Sequence, residues 1–228
     1  MELHKELIID KNKYNISLND NYLIYFSKAR EFVLENYKND YNRIAATKFN
    51  DITPEFMFRE ICWVICTSGF NAKVVSKFFP QLLKALRPLF DMINGKINNI
   101  NSIDIMMNVI KIFNNKRKVK AFIDSAFILH AGIEKFGWEI YRNTKLNSVD
   151  GLKVFPFIGD ITKFHLARNC AIEPEAVKPD VHLERAAEMW GFATPLKMCK
   201  EIQKTNDLPL GLIDLILWYS FSTFGSIY

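Results

Sequence analysis

The sequence predicts an all-α fold, and three observations predict it. Apolar residues recur at three- and four-residue spacing along most of the chain, as in Leu23, Phe26, Ala29, Val33 and Tyr37. Helix-start signals precede several of these runs: Thr53-Pro54-Glu55 gives a cap, a first-turn proline and an acid in succession, and Thr194-Pro195 repeats the first two. The last run, Leu210 to Tyr219, is apolar nearly all round, as a helix enclosed by a core must be.

Taken in order, the lead-in is polar, and Leu7-Ile8-Ile9 and Tyr14-Asn15-Ile16 can pair as a short hairpin across Lys11-Asn12-Lys13. Asn19-Asp20 offers a cap for a helix over 22–37, and 39–53 reads as a connection with a helical turn. The helix opened by Pro54 ends near Gly69, a C-cap signal, and Asn71 begins another that should stop before Pro80. Further helices are predicted over 81–94, 103–113 and 119–136, with a short one between 139 and 154. Pro156 and Gly159 mark a tight turn, with glycine supplying the positive φ of a sharp reversal. A helix follows, with Ile161, Phe164, Ala167 and Ala171 in register, and its free N–H groups form an anion site. Helices over 181–190, ending at Gly191, and over 195–204 complete the set before the apolar run.

With 49% apolar and 24% charged residues, the chain has the composition of an ordinary globular protein. It has none of the roughly 18-residue uninterrupted apolar windows of a membrane-spanning helix. A formal charge of +5 permits a nucleic-acid partner without requiring one. Walker, dinucleotide and zinc-protease motifs are absent. Cys62 and Cys66 share a helix face and frame no closed metal site, so the four cysteines read as reduced structural thiols. The charged start, Met1 to Glu6, lacks a secretory apolar segment. The expectation is an intracellular monomer, in cytoplasm, nucleoid or nucleus, with no membrane and no metal.

The stretch Phe155-Pro156-Phe157-Ile158-Gly159-Asp160-Ile161-Thr162 resembles the hairpin of the helix-hairpin-helix DNA glycosylases, whose pattern is Leu-Pro-Gly-Val-Gly-x-Lys-Thr. Lys178-Pro179-Asp180-Val181-His182 resembles the same superfamily's Val-Asp-Thr-His segment, in the same order and at a similar separation. Phe56 to Ile65 is similar to the first helix of the family's six-helix domain, and Lys116-Arg117-Lys118-Val119-Lys120-Ala121 sits where the family has a basic segment. The likeness spans 55–228.

The resemblance implies two lobes flanking a central cleft. One is a bundle over 55–172 ending in the hairpin; the other joins 1–54 to 173–228. It implies that Asp180 is catalytic, although an aspartate before a helix is equally an N-cap. It implies backbone contact by Phe157, Ile158, Gly159, Ile161, Thr162, Lys163, His182 and Lys118, with or without a monovalent cation at the hairpin. Thr67, Ser68 and Asn71 fall where the family fills the hole left by a flipped base, and they read equally well as loop residues. Trp63, Trp138, Trp218 and Tyr219 are base-stacking candidates by composition, or core aromatics. Two departures matter. Phe157 replaces the first hairpin glycine, and Ile161 replaces the lysine that makes family members strand-cutting lyases. An isoleucine has no amine to attack with. Lys163 lies about 200° further round the helix. Cys199 alone follows Cys170, so the iron–sulfur cluster of some members is not expected.

The implied activity is base-excision repair: a monofunctional glycosylase hydrolysing the N-glycosidic bond of a flipped base in damaged duplex DNA, first an alkylated purine. Uracil or mismatched thymine, 8-oxoguanine, a bifunctional glycosylase/lyase, and a non-catalytic DNA-binding protein are the alternatives.

Overall fold

The computed structural model describes residues 11–17, 19–172 and 176–224. Among them all the regular secondary structure is helical, with no strand. The helices are α1 (Tyr22–Asn36), α2 (Lys38–Ala46), α3 (Pro54–Thr67), α4 (Ala72–Ala85), α5 (Arg87–Ile93), α6 (Ser102–Ile110), α7 (Lys116–Phe136), α8 (Trp138–Lys145), α9 (Thr162–Asn169), α10 (Val181–Met189), α11 (Pro195–Gln203) and α12 (Leu210–Phe224). Short 3-10 turns lie at Lys11–Tyr14, Phe49–Asp51 and Asp150–Val154. The chain divides into two compact units, one of Met1–Ala46 with Val177–Tyr228 and one of Thr47–Ala176. The sequence reading put these divisions at 54/55 and 172/173.

Each unit is built around one helix buried on almost every side. In the first, Leu210 to Leu217 of α12 are all buried, and α1, α2, α10 and α11 pack on it. Tyr25 of α1 stacks on Phe221 at 5.0 Å. Its hydroxyl meets Ser220 at 3.1 Å, so the buried phenol has a partner. In the second unit α3 is enclosed by α7, α9, α4 and α5. Its Phe58, Ile61, Ile65 and Cys66 are fully buried. Burying such side chains contributes roughly 1.5–3 kcal/mol each, which is what holds α3 in place.

Several local expectations are corrected. Pro80 lies inside α4, which runs on to Ala85. The proline is exposed, while Val75, Phe79 and Leu82 are buried on the opposite face; their burial outweighs the roughly 3 kcal/mol cost of an interior proline. Lys38–Ala46 is a full helix rather than a turn, and α1 is capped by Asn21, whose side chain accepts from the Leu23 N–H. Tyr14 belongs to a 3-10 turn instead of a strand; Leu7 to Ile9, its expected partner, lie outside the described residues.

All four cysteines are buried thiols. Burial pushes Cys66 up from 9.0 to about 12, and raises Cys62 and Cys199 well above the ordinary value. A raised thiol binds its proton more tightly in the folded chain. Its contribution to stability is therefore full below 9.0 and lost as pH climbs through the folded value, about 12 for Cys66. The expected result is a melting temperature that falls steadily above pH 9.0, with no fast-reacting thiol in the native protein and four after denaturation. Rapid labelling of native protein by a disulfide reagent would contradict this burial.

Candidate nucleic-acid interface

The hairpin is a short turn anchored at two points. Phe155 and Ile158 are buried, and Phe157 between them points outward, 39% exposed. Phe157 takes φ 65°, the left-handed conformation that the sequence reading assigned to Gly159. That conformation costs a non-glycine residue about 1–2 kcal/mol. It is held by the Ile158 N–H donating to the Phe155 carbonyl at 3.1 Å, and by Thr162. The Thr162 hydroxyl accepts from the Gly159 N–H at 2.8 Å and donates to the Phe157 carbonyl at 2.9 Å, tying both limbs of the turn. Thr162→Val removes both bonds while keeping the shape. It should cost about 1 kcal/mol in denaturant unfolding and speed hydrogen exchange at Gly159; unchanged exchange would show that the clamp is idle.

This geometry corrects the expected phosphate grip. The main-chain N–H groups of Ile158 and Gly159 are spent inside the turn. At the start of α9 Ile161 occupies the cap position and no side chain caps the helix, but the N–H groups of Lys163 and Phe164 donate to the Gly159 carbonyl at 3.0 Å and the Ile161 carbonyl at 3.3 Å. Open space lies where a Cβ on Gly159 would project, so neither packing nor φ within the chain demands glycine there. Lys163 does not offer a free ammonium: it pairs with Asp150 at 2.7 Å and Asp160 at 3.7 Å. Lys153 pairs with Asp160 at 2.8 Å. These cations hold the Asp150 and Asp160 carboxyls below their ordinary values, and the local charge largely cancels.

The basic segment splits into two roles. Arg117 is exposed, and its guanidinium lies 6.0 Å from the Phe157 ring. Lys118, expected to touch DNA backbone, turns inward and is buried. Its ammonium donates to the Cys66 carbonyl at 3.3 Å and to the Ser68 carbonyl, and lies 4.5 Å from the Phe70 ring. Burial lowers its pKa. Neighbouring residues of α7 thus reach the hairpin on one side and the 67–71 loop on the other. In that loop Thr67 donates to the Trp63 carbonyl at 3.0 Å, Ser68 closes α3, and Asn71 caps α4 through the Lys73 N–H at 2.8 Å. Asn71 and Phe70 are exposed.

Of the stacking candidates in this unit, Trp63 packs edge-on against Phe79 at 5.0 Å. The Trp138 indole N–H donates to the Ile52 carbonyl at 2.8 Å. Both are core-packed side chains and not open platforms.

Asp180 lies in the other unit. It is the N-cap of α10, and one carboxylate oxygen accepts from the N–H groups of His182, at 3.0 Å, and Leu183, at 3.1 Å. The other oxygen pairs with Lys178 at 3.1 Å. A carboxylate has about four acceptor positions. Among the described residues these contacts fill three and leave one. The same Lys178 ammonium lies 5.9 Å from the Trp218 ring. Tyr219, by contrast, is buried, stacked on Tyr37 at 4.1 Å with its hydroxyl donating to Asp40 at 2.7 Å. The imidazole Nδ1 of His182 is buried without a hydrogen-bond partner among the described residues. Asp180 and Lys178 therefore pair, with the Trp218 ring beside the Lys178 ammonium; Trp218 also packs on the core of its unit, edge-on to Tyr219 at 5.0 Å, and Tyr219 lies within that core. The sequence reading passed over Lys178 as a partner, though i and i+2 in an extended segment share a side.

Among the described residues no cluster of three or more His, Cys, Asp or Glu side chains could hold a metal, and no helix is long and apolar enough to cross a membrane. No family model matches the chain, and no curated protein or solved structure matches it.

Proposed function

We propose that the chain is a monofunctional DNA glycosylase that removes a damaged base, first an alkylated purine, from duplex DNA. The observation that carries the reading is a pairing in chain order. A left-handed turn at Phe157 leads into α9, at the place of the pattern's first glycine, and a buried Asp180 caps α10 at the place of the pattern's aspartate. The open space at Gly159 and the exposed Arg117 beside the hairpin support contact with a nucleic-acid backbone.

In this reading the damaged nucleotide leaves the stack at a cost of a few kcal/mol, which damage lowers. The glycosidic bond stretches and positive charge builds on the sugar. Ionised Asp180, fixed by two N–H groups and Lys178, stabilises that charge and uses its remaining acceptor position to orient water. Water adds to the sugar carbon as the base departs with the bonding pair, and the water proton passes to solvent. Trp218, half-buried against the core of its unit, is the stacking candidate that lies beside Lys178. Ile161 carries no amine, and Lys163 is held by Asp150 and Asp160, which favours hydrolysis over strand cutting.

The test is base release from duplexes carrying one alkylated purine, uracil, mismatched thymine or 8-oxoguanine, with hot alkali to reveal abasic sites. Strand breaks that appear only after alkali support the proposal. Breaks without alkali, with a borohydride-trapped adduct, would assign a lyase instead. One observation favours a second reading, a DNA-binding protein without catalysis: the cap and ion pair give Asp180 a complete structural role. That reading expects no release from any lesion.

A further inference from the structure

Phe157 carries two costs that the hairpin does not need. Its backbone is left-handed, which glycine would adopt freely, and its ring is 39% exposed while Phe155 and Ile158 supply the anchoring burial. A costly conformation held by a hydroxyl clamp at a candidate site points to a task outside the fold. The surroundings say which task. Arg117 lies 6.0 Å from the ring, and the nearby Asp150 and Asp160 carboxylates are matched by Lys163 and Lys153, which leaves the guanidinium to set the local sign. Exposed Ile161 lies four residues along the same turn. A flat apolar ring next to a guanidinium matches a flat base joined to a phosphate.

We infer that Phe157 stacks on an unstacked nucleotide base while Arg117 holds the adjoining phosphate, so that the hairpin prefers locally opened duplex DNA to intact duplex. This rests on the proposed DNA-repair reading and adds a base contact to a hairpin otherwise assigned to backbone. It gives the protein a second point, besides the flipped lesion, at which a distorted duplex is recognised.

The experiment measures binding of the full chain to two labelled duplexes at one salt concentration, one intact and one with a single extrahelical nucleotide. Wild type should favour the opened duplex. Phe157→Gly should lose about 5- to 150-fold in affinity for it, the range of one base–aromatic stack, and the ratio of opened- to intact-duplex affinity should fall with it. Phe157→Trp should retain the preference. Phe157→Gly should melt close to wild type, because glycine accepts the left-handed turn, so the loss is not unfolding. Equal binding of the opened duplex by Phe157→Gly and wild type overturns the inference. If wild type still releases a damaged base in that case, the glycosylase reading stands without it. If wild type neither binds DNA nor releases a base, both fall.

Discussion

Asp180→Asn should reduce base release by about 10²- to 10⁴-fold without unfolding the protein. The asymmetry follows from the three contacts of the carboxylate. Asparagine is as good an N-cap as aspartate, and its amide oxygen can accept from the N–H groups of His182 and Leu183 as Oδ1 does now. What disappears is the negative charge, and with it the pair to Lys178. That pair is mostly shielded from solvent, so its loss leaves a shielded ammonium unmatched and lowers the melting temperature somewhat. Asp180→Ala separates the terms from the other side. It also deletes the cap and should cost a further 0.5–2 kcal/mol or so of stability. If Asp180 served only the fold, Asn would show no more than that modest loss of melting temperature, and Ala would be more destabilising. A substitution that is mild for folding and severe for base release is the signature of a charge used on a substrate. Base release by Asp180→Asn at the wild-type rate would remove Asp180 from the mechanism.

Much of the helical framework was legible because its signals are local. Thr53, Asn71, Asp180 and Thr194 each cap the helix that follows, through a side-chain oxygen and a backbone N–H two or three residues on. Such bonds depend on residues that adjoin in sequence, so the sequence contains them. Pro80 was misread because its penalty is local while the burial of Val75, Phe79 and Leu82 that outweighs it depends on what packs against α4. The hairpin divides the same way. The substitution of Phe157 for a glycine was visible, but not that it would keep a left-handed φ with its ring outward; that depends on Phe155 and Ile158 both finding burial. Lys118 was legible in principle. It precedes buried Phe122 by four residues and so lies on the inward face of α7, although it sits among exposed cations. Counting charge hid what helical register would have shown.

Lys118→Met should lower stability by about 1–3 kcal/mol, and the sign depends on which of two opposing terms is larger. Burial of a cation is costly, and among the described residues no acid pairs with this one: its ammonium donates to the Cys66 and Ser68 carbonyls at the end of α3. Methionine fills similar space and relieves that cost. It also strips a charged donor from carbonyls at a helix C-terminus, where the helix dipole favours a cation, and Cys66 is too deeply buried for water to replace it. The second term should win, and denaturant midpoints at constant slope would measure it; an unchanged or higher midpoint would reverse the ranking. The pH dependence gives a second check. A lysine whose pKa is lowered by folding carries a penalty below its folded value, relieved as pH rises toward 10.5, opposite in sign to the buried thiols. Removing it should therefore steepen the alkaline loss of stability. DNA binding separates the inward role from the backbone contact first expected of this residue. A cation on a phosphate contributes about one unit to the salt dependence of affinity, so a Lys118 that touched DNA would reduce that slope when replaced. A Lys118 that holds the 67–71 loop should leave the slope intact and weaken binding evenly across salt concentrations, while replacing exposed Arg117 should lower the slope.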